Sequence, residues 1–216
     1  DWTSAAIPNE YKAVALIAPS DTIAPRSLAN LGSYVDQGGK LFVAFTNVQG
    51  DLQQGNLTAA PKIGLATWLS SKGILVNDNF VIDAQCATIT VTQQQGFFRI
   101  NSQKEFPYYP NVTNFEEHPI TKGLDQITLP FVSNVVPIGN DSTITSSTLL
   151  LTSENSGTVT APSFIDIQRQ WTQGDFGMGV QSLAVAASGY GNGLGRIVVV
   201  GNGDFFTNGA GQLARQ

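Results

Sequence analysis

The stretch GRIVVVGNGDFFTNG, Gly195 to Gly209, runs an apolar block straight into Gly201, Gly203 and Asp204. Two spaced glycines and an acid after a strand can cradle a phosphate, build a catalytic turn, or hand the strand over to a helix. A dinucleotide cradle needs a third glycine so that the helix can pack close; Phe206 stands at that position. The Gly-Lys-Ser/Thr of a nucleotide-binding P-loop is absent, and an acid at the mouth would repel phosphate. The reading that survives is a structural turn. In it Gly201 and Gly203 take backbone angles that other residues resist. Asp204 accepts a backbone N–H near Phe206 or Thr207 as a helix cap, and Phe205 or Phe206 packs beneath the sheet.

Other residues with chemical potential are few. His118, the sole histidine, stands in EEHPITKGL beside Glu116 and Glu117 and is restrained by Pro119. It could serve as a base, but no Gly-flanked nucleophile accompanies it, and a turn-anchoring side chain is the simpler reading. Cys86, the sole cysteine, sits in DAQCATI and reads as a small buried hydrophobe. One cysteine allows neither an intrachain disulfide nor a Cys-based metal site. Asp78, Asp83, Glu116, Glu117 and Asp204 offer oxygen ligands without the loop spacing of a calcium site, so neither metal nor cofactor is expected. The aromatic residues Phe106, Tyr108, Tyr109 and Phe115 could stack a sugar or a partner's side chains, or could equally lid a core. Tyr108, Tyr109 and His118 are therefore the candidate contacts for a ligand or partner, with no catalytic residue assigned.

Composition narrows the partners. Charged residues make up 12% of the 216, about half of the roughly 25% usual in soluble domains. The net charge is −5 and the 11 Lys and Arg are dispersed, so no clustered cations are expected to neutralise a phosphate backbone or an anionic bilayer, and nucleic acid is set aside as a partner. No run approaches the ~18 apolar residues of a membrane span, and no direct membrane insertion by these residues is expected. The start DWTSAAIPNEYK lacks the basic and apolar regions of a signal peptide. The chain is then either cytosolic or a soluble piece of a longer protein, and the abrupt ends, a strand opening at Tyr11 and a helix barely begun in GAGQLARQ, favour the piece.

Positioning elements follow from the apolar pattern. YKAVALIAPS (11–20) and KLFVAFTN (40–47) read as buried parallel strands, joined by a helix over APRSLANLGSYVDQGG. Pro25 suits its first turn, Leu28, Leu31 and Val35 share one face, and Gly38 and Gly39 end it. A second helix is predicted from Ala60 to Lys72 and an extended segment over 74–83. ATITVTQQQGFFRI alternates like a hairpin, and FPYYPNVTNFEEHPITKGL is too irregular for a strand. Further strands are predicted at 127–138, 148–152, 163–170 and 181–187, with 13–18, 41–46 and 196–201 central in the sheet.

Four segments in order carry a family resemblance: ALIAPSDTIAPRSLANLGSYVDQGGKLFVAF, GLATWLSSKGILVNDNFVID, HPITKGL and GRIVVVGNGDFFTNG. Together they resemble the extracytoplasmic domain of the gliding-motility (GldG-type) auxiliary component of ABC transporters. The resemblance implies an α/β three-layer sandwich with a mainly parallel sheet, like flavodoxin or class I glutamine amidotransferases, lacking the hydrolytic residues. Residues 1–216 would form one such domain, with a β-rich or irregular insert around 86–118. The implied role is noncatalytic binding or scaffolding at the periplasmic face, membrane-anchored in the full-length protein, with an ABC permease and ATPase as partners. The His-Pro-Ile-Thr and Gly-Asp-Phe pieces also occur in sugar-related relatives, which implies a carbohydrate-binding or carbohydrate-active alternative. The family's usual βα elements before Tyr11 are missing or shortened here, leaving open what covers the sheet edge beside the first strand.

Overall fold

The computed structural model describes residues 3–95, 97–139 and 141–206. The chain opens with β1 (Val14–Ile17), α1 (Pro25–Asp36), β2 (Lys40–Ala44), β3 (Val48–Asp51), β4 (Asn56–Ala59) and α2 (Leu65–Ser71). Next come β5 (Ile74–Val76), β6 (Asn79–Asp83), β7 (Cys86–Gln95), β8 (Phe98–Val112), β9 (Asn114–Phe115) and β10 (Ile127–Thr128). The last strands are β11 (Val135–Pro137), β12 (Thr145–Leu151), β13 (Ser156–Thr160), β14 (Ser163–Phe164), β15 (Ser182–Tyr190) and β16 (Gly195–Val200).

The main sheet has the order β1-β2-β16-β15-β12-β9. β2 is parallel to both β1 and β16, whereas β15 runs antiparallel to β16 and to β12. Four smaller sheets surround it: β10-β8-β7, β11-β5, β13-β6 and β14-β4-β3. The fold is thus mostly β with mixed and antiparallel sheets, and the expected helix-flanked, mainly parallel three-layer sandwich is overturned. The reason lies in how the two sheet faces are covered. Leu41, Val43, Val185, Ile197 and Val199 face a cluster that includes Leu31 and Val35 of α1 and Leu65 and Leu69 of α2. On the other face Phe42, Ala184, Val198 and Val200 meet Val81, Val112, Leu129 and Val132, which come from strands and loops. Both α-helices therefore serve one face, and β-structure forms the third layer.

Local chemistry explains the elements. α1 starts on Pro25, buries Leu31, Tyr34 and Val35, and ends where Gly38 turns left-handed at φ +97°. The Tyr34 ring fills the space a side chain at Gly39 would need, and its hydroxyl donates to the Tyr11 carbonyl at 2.9 Å. α2 begins at Leu65, five residues later than predicted, because Gly64 holds a left-handed φ of +86°. The predicted strand 74–83 breaks into β5 and β6 at Asn77, whose N–H turns to the Asn134 carbonyl. β2 and β16 are interior as expected, but β1 is an edge strand: Ile17 is 45% exposed, so segment 13–18 is not central. β8 also runs on through Phe106–Val112, where irregular structure was expected. A bulge between Cys86 and Thr88 interrupts its ladder with β7, and at such a bulge a sheet tolerates the missing N–H of a proline such as Pro107. The helix expected in 209–216 lies outside the described residues.

Candidate functional site

Ligands of α/β sheets gather at the carboxyl ends of parallel strands. Here β1, β2 and β16 end together, and their exits determine what that edge can do. After β1, Ala18 adopts φ +44° and donates its N–H to the Ala44 carbonyl at 2.9 Å. After β16 come Gly201, Asn202 and Gly203, all buried. Neither glycine has a left-handed φ, which corrects the reading that both supply unusual backbone angles. Their role is close approach. A side chain at Gly201 would collide with the Ser133 carbonyl oxygen and lie 2.9 Å from Val135 Cγ2, and one at Gly203 would lie 3.0 Å from Ala18.

Small polar side chains fill the same edge. Thr46 Oγ1 and Ser133 Oγ share a hydrogen bond of 2.9 Å, and the Asn47 N–H donates to Ser133 Oγ. Asn47 Nδ2 reaches the Val76 carbonyl at 2.7 Å. Asn77 Nδ2 donates to Asn134 Oδ1 at 2.7 Å, and Asn134 Nδ2 donates to the Ser182 carbonyl at 3.1 Å. Asn202, fully buried, donates through Nδ2 to the Pro130 carbonyl and accepts the Phe205 N–H at 2.8 Å. Each group finds its partner within the chain, as buried polar atoms require, and the network ties five segments together.

Asn202 accordingly closes the short 3-10 turn Asp204–Phe206, from two residues before it, through the Phe205 N–H; this adds to the cap expected of Asp204. Asp204 is exposed; it begins the turn, and Thr207 lies outside the described residues. Asn202→Ala should cost about 2 kcal/mol by stranding a buried carbonyl and N–H. Urea melts check it, and a loss under about 0.5 kcal/mol would mean that neither group depends on the Asn202 side chain.

The candidate contacts fare differently from one another. Tyr108 and Tyr109 are 3% and 8% exposed and lie in a cluster with Phe80, Phe106 and Phe131. Tyr109 meets Phe106 edge-on at 4.9 Å and Phe131 at 5.1 Å between ring centres, and Tyr108 meets Trp171 at 5.5 Å. Burial, then the Asp204 charge, pushes the Tyr109 hydroxyl up to about 12. These rings form a core, so they offer no open stacking platform. His118 is half-buried in the turn after β9. Its Nδ1 accepts the Ile120 N–H at 3.1 Å, and its carbonyl accepts the Thr121 N–H and hydroxyl.

Cys86 is half-buried, and its thiol is pushed up to about 11, chiefly by burial, which makes it a poor nucleophile at neutral pH. Among the acids, Asp83 is buried and accepts the N–H groups of Gln85 and Ser153, both at 2.8 Å, and the Ser153 hydroxyl. Asp78 pairs with Lys62 at 2.6 Å on the surface. Among the described residues no three His, Cys, Asp or Glu side chains group as metal ligands. A groove of about 710 Å³ opens at the opposite, amino-terminal edge of β2 and β16, where Lys72, Asp141, Thr143 and Tyr190 line it. Lys72 is engaged there by Asp36 at 3.2 Å.

Sequence reasoning missed Thr46, Asn47, Ser133, Asn134 and Asn202. Their signal was present as small polar residues beside strand ends, two in AFTN, two in VSNVV and one in VGNG.

A family model described as "ABC-type uncharacterized transport system" matches residues 3–216. No curated protein matches the chain. Among solved structures, one titled "mmIFT52 N-terminal domain" superposes with a TM-score of 0.54 at 15% identity, covering 91% of this chain and 68% of that one. At that identity the likeness concerns the fold alone.

Proposed function

The chain belongs to the family described as an ABC-type uncharacterized transport system and is an auxiliary component of such a system; from that premise we propose that it is a noncatalytic binding and scaffolding domain of the complex. In this reading it stands on the extracytoplasmic face, anchored to the membrane in the full-length protein, and contacts an ABC permease and its ATPase in a gliding-motility-type assembly. The observation that carries the noncatalytic part is the closed polar edge. Where ligand-binding sheets keep polar groups open, Thr46, Asn47, Ser133, Asn134 and Asn202 are bonded to one another and to backbone. Saturated hydrogen-bond groups brace segments against each other and have no capacity left to orient a substrate. The carbohydrate alternative relied on Tyr108 and Tyr109 lining a pocket beside His118, and the burial of both tyrosines speaks against it.

The test is crosslinking in native membranes. Photoreactive residues placed at exposed positions should trap a permease or ATPase subunit, and protease added outside spheroplasts should cleave the domain. Purified chain should show no turnover of glycoside, amide or ester. Recovery of the chain away from transport subunits, or a saturable hydrolysis that disappears in His118→Ala, would overturn the proposal.

A further inference from the structure

The hairpin of β7 and β8 outruns the body from which it grows. Its inner half is held, because Ile89 is buried and Ala87 and Val91 pack against the aromatic cluster. Beyond the pair Val91–Ser102 four more pairs follow, from Thr92–Asn101 to Gln95–Phe98, which extend the ribbon about 13 Å at about 3.3 Å per residue. Cross-strand bonds stiffen it: Thr92 Oγ1 donates to Asn101 Oδ1 at 2.8 Å, and Gln103 Nε2 donates to Thr90 Oγ1 at 2.9 Å.

Alternation makes this ribbon amphipathic. Ile89 and Val91 share a face with Ile100 and Phe98, while Thr88, Thr90 and Thr92 share the other with Arg99 and Asn101. The apolar stripe that begins in the core therefore continues off the body and ends at the turn residue Phe97. Phe97 is 104% exposed, Phe98 76% and Ile100 47%. Single exposed apolar residues are ordinary, but three together at the end of a stiff projection mark a contact surface. Charge says what kind of surface. The projecting part, residues 92–101, carries Arg99 and no acid in a chain of net charge −5.

We propose that this tip docks on the surface of an anionic lipid bilayer, with Phe97 and Phe98 entering the headgroup–acyl boundary, Ile100 just above them and Arg99 meeting lipid phosphates. Side chains with an apolar body beside a cation suit that boundary. With Phe97 and Phe98 at the surface, the four outer pairs hold the acidic body off the bilayer by about 13 Å, more than the screening length of about 8 Å at physiological salt. Arg99 is then nearer the lipid phosphates than any acid of the body, and no cluster of cations is required. No helix among the described residues is long and apolar enough to cross a membrane, which does not bear on side chains at a hairpin tip. This inference stands independently of the noncatalytic reading, since lipid contact requires no particular activity of the domain.

Vesicle flotation of the whole chain tests it, using phosphatidylcholine with and without about 30% phosphatidylglycerol. The parent chain should float with the anionic vesicles and be released by salt. Phe97→Ser/Phe98→Ser should lower its partition at least about tenfold, and Arg99→Glu should lower it several-fold, with melting unchanged because these side chains lie outside the core. A parent chain that stays unbound on both vesicles, or a double variant that floats as well as the parent, overturns the proposal. So does a dimer seen by light scattering and abolished by the double variant, which would assign the tip to a second copy.

Discussion

Val199→Asp is expected to yield no folded protein, while Val198→Asp one residue away remains soluble and melts cooperatively. Val199 is fully buried at the middle of the main sheet, opposite Val43 on one side and Val185 on the other. Its side chain faces the cluster that includes Leu31, Val35, Leu65 and Leu69. A carboxylate there finds no donor or cation, and burying an unpaired charge costs several kcal/mol even after the group protonates. Total stability is only about 5–15 kcal/mol. Val198 points to the other face, where it is half-buried at the rim of the second cluster; an acid there can turn toward water and should cost about 1–2 kcal/mol. Soluble yield and circular-dichroism melting of the pair check the claim. A normally melting Val199→Asp variant would mean that β16 is not the buried centre of the sheet.

The same alternation shows where the sequence was informative and where it was silent. KLFVAF and GRIVVV are continuously apolar because β2 and β16 are covered on both faces, and both are interior strands. AVALI reads identically, yet β1 has a neighbour only at β2; composition reports the apolar character of a strand and not how many neighbours it finds. Strand direction was legible in one place that went unused. The four residues Gly191–Leu194 between β15 and β16, in YGNGLG, form a tight glycine-rich connection that only antiparallel neighbours can use. With that hairpin recognised, a mainly parallel sheet is already excluded.

The site was half legible for a related reason. That Gly201 and Gly203 belong to a structural turn follows from local sequence, but why they must be glycine depends on Ser133 and Ala18, which are distant along the chain. Within GNGDF both Asn202 and Asp204 have capping side chains; Asn202 stands two residues before the turn, with Gly203 between, and its Oδ1 reaches the Phe205 N–H. Tyr108 and Tyr109 could equally have lined a surface, and the choice fell to Phe80, Phe131 and Trp171. Residues that pack from far along the chain leave no mark beside the ones they cover.

Gly201→Ala follows from that distinction and should cost about 3–5 kcal/mol, beyond the roughly 1–3 kcal/mol that overpacking typically costs. The methyl group would collide with a backbone carbonyl, that of Ser133, and not with the movable end of a side chain. Relief by backbone shift is blocked from both sides. The Ser133 N–H donates to the Gly201 carbonyl at 2.7 Å, and the Gly201 N–H donates to the Leu183 carbonyl at 2.9 Å, so moving either strand breaks a buried hydrogen bond. Ser133 Oγ also holds Thr46 and Asn47, and the disturbance should spread to the whole carboxyl edge. For a chain of this size the loss corresponds to a fall in Tm of roughly 6–20 °C. Gly203→Ala, with its nearest contacts at 3.0 Å, should cost about 1–2 kcal/mol because its neighbours must yield by only a few tenths of an ångström. Gly201→Asn separates the two reasons a glycine can be required. A left-handed backbone accepts asparagine more readily than alanine, whereas a close approach rejects the larger side chain more strongly. Thermal melts should therefore rank Gly201→Asn below Gly201→Ala, and the reverse order would show that backbone angle, not contact with Ser133, fixes glycine at this position.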